Sequence, residues 1–250
     1  MCEKSTVHGM RLVFEVETAA LLPDEVKWVK FANLDWAKDG SGFYYSRFPQ
    51  PASGQEFQST NQNQAIYFHR IGTPQSADAL VFSQPDAPKV SNVAEVSDDG
   101  KWLVIYASQG TDAAYDIILI DLTRPVAEPR RFITGMEDNW SYIGNAGDTF
   151  YWVTNTGAPR QRIVSTDISE PELEIVELVA EDEATLDGAS IVGDQLIASY
   201  LVDAKTEVRT YTLDGTHTGT VTLPGIGTAG GFSGDASDSE TFYSFASFDT

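Results

Sequence analysis

The chain has 250 residues, of which 42% are hydrophobic, enough for one large domain or two small ones and too apolar for a disordered segment. Thirty-seven Asp and Glu stand against 16 Lys and Arg, a net charge of −21, so the basic face that phosphate neutralisation demands is missing; nucleic-acid binding and docking on an anionic membrane are excluded on charge. One cysteine, Cys2, makes no internal disulfide, no apolar run is long enough to span a bilayer, and no signal-peptide pattern opens the chain; together these predict a reduced, cytoplasmic protein.

In chain order, a lone strand is predicted over Arg11 to Glu17, and then a turn rich in Asp and Gly begins to recur, each copy running straight into an apolar or aromatic strand. The copies are Asp39-Gly40-Ser41-Gly42-Phe43, Asp99-Gly100-Lys101-Trp102, Gly147-Asp148-Thr149-Phe150, Gly193-Asp194-Gln195-Leu196 and Asp238-Ser239-Glu240-Thr241-Phe242. The strands start at positions 43, 102, 150, 196 and 242, spaced 59, 48, 46 and 46 apart. Asp and Gly accept the φ > 0 positions of a tight turn, and aromatic and β-branched residues suit a pleated surface, so each copy is a hairpin. A strand precedes each turn: Phe31 to Trp36, Val93 to Val96, Tyr142 to Asn145, Ala189 to Val192 and Gly231 to Ser233. Two more follow within a repeat, as Asp116 to Leu122 with Arg131 to Ile133, and Glu207 to Tyr211 with Thr218 to Leu223.

Four antiparallel strands in about 45 residues make the blade of a β-propeller. The extra residues of the first repeat fall in the Gln/Asn/Ser-rich stretch from Pro51 to Gln64, an excursion between its second and third strands. A β-sandwich has no such period and a β-solenoid has a shorter one. The predicted fold is therefore all-β, an incomplete propeller: the end of a first blade and a linker over 1–28, then blades at about 29–90, 91–136, 137–182 and 183–224, and a partial blade over 225–250. Open blade edges predict self-association.

Catalytic chemistry is hard to find. Gly231-Phe232-Ser233-Gly234-Asp235 is the nearest approach to a nucleophile elbow, but Asp stands in place of the last Gly and no helix pattern follows. Of three histidines, His8 lies in a ragged N-terminus, His69 in a strand and His217 at a hairpin tip, so no Ser-Asp-His triad is expected. No metal site is expected either: Asp98-Asp99-Gly100 lacks the order of a calcium loop, and Glu181-Asp182-Glu183 reads as a solvated loop. Gly225 to Gly231 contains a formal G-x-G-x-x-G with no helix after it, and no cofactor is expected. Trp36, Trp102, Trp152, Tyr44, Phe150 and Tyr151 read as packing between blades.

Val29-Lys30-Phe31, Trp36, Asp39-Gly40 and Gly42-Phe43-Tyr44-Tyr45-Ser46-Arg47-Phe48-Pro49 resemble the propeller domain of the prolyl oligopeptidase family. The likeness continues through Tyr67-Phe68-His69-Arg70-Ile71-Gly72-Thr73 with Gln75 and Asp78, through Pro85-Asp86-Ala87-Pro88-Lys89 to Ser97-Asp98-Asp99-Gly100, and through Thr241 to Phe248. Family members are serine-type endopeptidases that join such a propeller to an α/β-hydrolase domain and cleave short peptides after proline. The resemblance implies a non-catalytic, gating propeller whose partners are that hydrolase domain and short peptides, inactive alone and lacking the family's hydrolase domain. It places Gln84, in the segment between blades, and Ser190, on an inner strand, against substrate, where relatives hold an aromatic and a Cys or small residue. The alternative is a stand-alone propeller scaffold that binds protein or peptide.

Overall fold

The computed structural model describes residues 9–54, 60–170, 172 and 174–247. Cys2, His8 and Phe248 fall outside them. The chain divides into two compact units, Met1–Glu137 and Asp138–Thr250.

The first unit opens with a hairpin, β1 (Met10–Phe14) and β2 (Leu21–Lys27). The lone strand predicted there is thus half of a pair. β2 carries a weak strand signal, since Pro23 lacks a ladder donor and Asp24 and Glu25 are poor strand formers. Proline removes a ladder donor and is tolerated on a short two-stranded ribbon, here where the register slips between Leu12 and Phe14. Two four-stranded sheets follow. The first is β3 (Leu34–Trp36), β4 (Gly42–Arg47), β5 (Ala65–Arg70) and β6 (Ala79–Phe82); the second is β7 (Ser91–Val96), β8 (Trp102–Ser108), β9 (Asp116–Asp121) and β10 (Arg130–Ile133). β3 is shorter than the predicted Phe31 to Trp36, since Phe31 takes φ 50° and lies 76% exposed where the chain turns into the sheet.

The second unit repeats the plan. One sheet holds β11 (Trp140–Ala146), β12 (Thr149–Thr154), β13 (Arg162–Asp167) and β14 (Val176–Val179). The next holds β15 (Thr185–Val192), β16 (Gln195–Val202), β17 (Lys205–Thr212) and β18 (His217–Thr220), and a last pair is β19 (Gly227–Ser233) and β20 (Phe242–Ser247). Every four-stranded sheet is an antiparallel meander in sequence order, as the repeat predicts. The only helix among the described residues is a 3-10 turn, Gln75–Ala77.

The joint between the second and third strands is regular in all four sheets, while that between the third and fourth slips register in every one. Bulges bend and twist the outer strand. The central strands carry the core. Leu103, Val104 and Ile105 on β8 and Ile117, Ile118 and Leu119 on β9 are fully buried, so these strands read as continuous apolar runs rather than alternation. Apolar clusters join neighbouring strands and sheets within each unit. Val13, Val26 and Val29 pack on Phe43 and Tyr45, and Ile66 and Phe82 on Ala94, Val96, Leu103 and Ile105. In the second unit Tyr151 and Ile163 meet Leu186, Ile191 and Tyr200, and Val208 meets Ala229 and Phe232. At Gly144 the φ of 141° strains any residue with a side chain, and a Cβ would also stand 2.9 Å from Ile191 Cδ1 of the next sheet, so glycine suits this approach.

Of the predicted packing aromatics, Trp152 and Phe150 have no exposed surface and Tyr151 is buried; Trp36, Trp102 and Tyr44 are half-buried. The Trp152 indole donates to Thr166 Oγ1 at 2.8 Å, which satisfies its one polar atom.

Candidate functional site

Three polar clusters stand out, two in the first unit and one in the second. The first is built around Gln84, which follows β6 in a turn that Ala87 N and Val90 N close by donating to Gln84 O and Ala87 O, each at 3.0 Å. Both ends of its amide are engaged. Nε2 donates to Asn92 Oδ1 at 2.8 Å, and Oε1 accepts from Arg131 Nη2 at 2.6 Å. Arg131 also reaches Asp116 at 3.3 Å, while Asp116 accepts the Met136 N–H. Asn92, fully buried on β7, exchanges bonds with Gln64: its N–H donates to Gln64 Oε1 at 2.8 Å and its Nδ2 to Gln64 O at 2.9 Å. Gln64 Nε2 continues to Lys30 O and Phe31 O. Gln84 is thus the half-exposed tip of a rigid, satisfied network.

The second cluster is centred on His69 of β5. Its Nδ1 lies 2.8 Å from Asp78 Oδ1 and its Nε2 lies 3.1 Å from Asp24 Oδ1, and all three side chains are sealed from solvent. Asp78 Oδ2 accepts the Tyr45 hydroxyl at 2.6 Å, and Asp24 Oδ1 accepts Gly72 N at 2.5 Å. Burial, with Asp78 beside it, holds the Tyr45 phenol above its ordinary range, so it stays a donor. On the neighbouring sheet, burial pushes the Glu95 carboxyl up to about 7; Tyr106 opposes the rise by donating to it at 3.0 Å, and Asp35 and Asp98 add to it.

Ser190, in the second unit, sits on β15 beyond the register slip between Leu186 and Gly188, half-buried, and its hydroxyl donates to Phe232 O on β19. Gln84 and Ser190 belong to different units.

The remaining sequence candidates resolve as follows. Gly231 to Asp235 ends β19 and enters a turn, with Phe232 at φ 62°, rather than a strand-to-helix elbow. Asp99 Oδ1 accepts Ser97 Oγ at 2.7 Å and Lys101 N at 3.1 Å, which is turn chemistry. The acidic stretch is more than a solvated loop: Arg209 pairs with Asp182 at 2.7 Å and Arg160 N donates to Glu181 at 2.6 Å. His217 opens β18 edge-on to Tyr211. Among the described residues no His, Cys, Asp and Glu group is placed to hold a metal ion, and no helix is long and apolar enough to cross a membrane. Sequence reasoning left the partners of Gln84 and His69 unread, since Arg131 lies 47 positions from Gln84 and Asp24 lies 45 from His69.

The sequence profile described as prolyl oligopeptidase, N-terminal β-propeller domain, matches residues 10–250. The chain belongs to this family. Among relatives, the prolyl endopeptidase of Elizabethkingia meningoseptica is 31% identical over 240 residues, covering 96% of this chain and 34% of its own length. Prolyl oligopeptidase A of Amanita bisporigera is 36% identical over 169 residues, covering 64% of this chain and 22% of its own. A solved structure from a study of inter-domain dynamics in two prolyl endopeptidases superposes with a TM-score of 0.89 at 37% identity, covering 97% of this chain and 35% of that one. Prolyl oligopeptidase B of Galerina marginata, bound to a 25mer macrocyclization substrate, shares the fold at a TM-score of 0.87 and 24% identity, over 95% of this chain and 35% of that one. The chain spans about a third of the length of the curated prolyl endopeptidases it matches. The fold is the all-β propeller of this family, built of four-stranded antiparallel blades.

Proposed function

We propose that this domain is the non-catalytic, access-limiting propeller of a prolyl oligopeptidase-like serine peptidase that acts on short proline-containing peptides, and that it works against an α/β-hydrolase domain. The observation that carries the reading is the match of the family's N-terminal propeller over residues 10–250, nearly the whole chain. The side-chain chemistry agrees with it: of the two described histidines, His69 is committed to Asp24 and Asp78 and His217 lies edge-on to Tyr211. A rigid sheet assembly that narrows the approach to a site acts sterically, by exclusion of large substrates and water.

Gln84 and Ser190 are the side chains through which we propose the domain borders bound peptide. Both are half-buried and held in one orientation, Gln84 by Asn92 and Arg131 and Ser190 by Phe232 O, which suits a pocket wall.

The test is light scattering on the purified chain with and without a hydrolase domain from a relative, alongside cleavage of a proline-containing chromogenic peptide. The reading expects no cleavage by the chain alone and a one-to-one complex that cleaves the short peptide and spares a folded protein. Turnover by the chain alone that a serine-directed inhibitor stops, or a chain that ignores the hydrolase domain, would overturn it. The latter result would favour a binding scaffold.

A further inference from the structure

The hydrogen bonds around Gln84 fix which way each group points. Asn92 Nδ2 donates to Gln64 O at 2.9 Å, so Asn92 Oδ1 is the end that faces Gln84. That oxygen needs a donor, which makes Nε2 the inward end of the Gln84 amide, at 2.8 Å. Gln84 Oε1 is therefore turned to Arg131 Nη2, at 2.6 Å, and is engaged there. Arg131 has one more anchor. Asp116 reaches Nη1 through Oδ2 at 3.3 Å, while its Oδ1 accepts the Met136 N–H at 3.0 Å. This pairing is single and long, not the two-pronged contact that a guanidinium makes with a free carboxylate. Among the described residues two of the five Arg131 N–H groups have partners, and half of the side chain is open to solvent. We propose that Arg131, oriented by Gln84 and Asp116, makes this corner of the first unit a carboxylate-binding subsite for peptide.

The inference rests on the reading that Gln84 borders bound peptide, and it adds the class of peptide: one that brings a carboxylate to this corner, from an acidic side chain or from a free C-terminus. The three remaining N–H groups of Arg131 seek acceptors, and an anionic acceptor gains charge as well as hydrogen bonds. Two anchors already hold the guanidinium, so little side-chain freedom is lost when the ligand arrives. A neutral amide in the same place accepts the same bonds without the charge. The rest of the chain opposes an anion, since its net charge is −21. Long-range attraction therefore cannot imitate the effect, and a preference for acidic peptide must come from a local cation.

The experiment is titration calorimetry of the chain with short proline peptides that differ in one group. One set carries Glu, and its counterpart Gln, at each position flanking the proline in turn, with the C-terminus amidated; a further Gln peptide has a free C-terminal carboxylate. The expected result is that the best acidic peptide binds about tenfold more tightly than its neutral counterpart. Whether the Glu side chain or the free terminus carries that gain identifies the source of the carboxylate. Arg131→Gln brings the ratio to within about twofold, and Arg131→Lys, which keeps the charge and loses the planar fork, falls between. A urea midpoint near wild type shows each variant folded. Equal affinities in wild type, no binding of any peptide, or a preference that survives in Arg131→Gln would each sink the inference. The same peptides are then given to the chain together with the hydrolase domain. Cleavage of acidic and neutral peptides with equal KM refutes the inference and leaves the access-limiting reading intact. Acid-selective binding by a chain that supports no cleavage supports the inference and refutes that reading.

Discussion

Replacing Glu95 by Gln gives the sharpest check on the electrostatics of the first unit. The carboxyl sits part-buried on β7, and burial moves it from 4.5 to about 7, with Asp35 and Asp98 reinforcing and the Tyr106 hydroxyl and Lys38 opposing. Folding thus raises its proton affinity. Below about pH 4.5 the acid is neutral in both states and costs nothing. Between that value and about 7 the unfolded chain has released the proton while the folded one retains it, so stability falls as the pH rises and the loss is complete above about 7. At about 1.4 kcal/mol per pH unit, the interval from 4.5 to about 7 amounts to about 3 kcal/mol, and the partial exposure of the side chain makes this an upper figure. Glutamine keeps the shape and still accepts the Tyr106 hydroxyl, but does not titrate. Urea unfolding of both proteins at matched pH from about 4 to about 8 isolates the effect, because titrating groups that are not coupled to Glu95 cancel in the difference. The expected result is near-equal stability at the acid end and a Gln variant ahead by up to about 3 kcal/mol at the alkaline end. A flat difference, or a variant that loses ground as the pH rises, would refute the reasoning.

Three further outcomes follow from packing and charge. Gly42→Ala puts a Cβ 2.0 Å from the His69 carbonyl oxygen across the β4–β5 ladder, a backbone clash that no rotamer relieves; a loss of about 3 kcal/mol or more is expected, and a urea midpoint equal to wild type would contradict it. Phe43→Ala empties a site with no solvent exposure that touches Trp36, Tyr45 and His69, at a cost of about 3–5 kcal/mol by calorimetry, and a loss under about 1 kcal/mol would mean the cluster can collapse. Arg131→Ala removes a half-exposed ion pair and should cost under about 1 kcal/mol in stability; the role proposed for Gln84 further expects, in a complemented peptidase, a raised KM for a short proline peptide with kcat kept, because Gln84 loses one of its two anchors.

The net charge of −21 adds a fourth. Self-repulsion of a strongly acidic fold is screened by salt, so the melting temperature should rise between low ionic strength and about 0.5 M sodium chloride; a fall would show that the surface pairs of Arg160, Arg162 and Arg209 outweigh the repulsion.

What could be read from the chain alone is what neighbouring residues decide. A turn of Asp and Gly bends the backbone whatever surrounds it, and an aromatic or β-branched run favours the pleat. All five hairpins therefore appear where the repeat puts them, at Gly40, Gly100, Gly147, Gly193 and the loop before Phe242. The four-stranded meander within each sheet followed from the period, and the family from a series of short motifs at matching spacing. β2 escaped because its stability comes from Val26 packing against Phe43 and Tyr45, which overrides the local signal of Pro23. The polar sites escaped for the same kind of reason. Nothing near Gln84 in sequence announces Arg131, and nothing near His69 announces Asp24; only the stacking of sheets brings these partners within hydrogen-bond reach and removes the water that would otherwise dilute them. Local conformation is a property of adjacent residues, whereas the protonation and orientation of a buried side chain depend on groups that only the folded chain assembles.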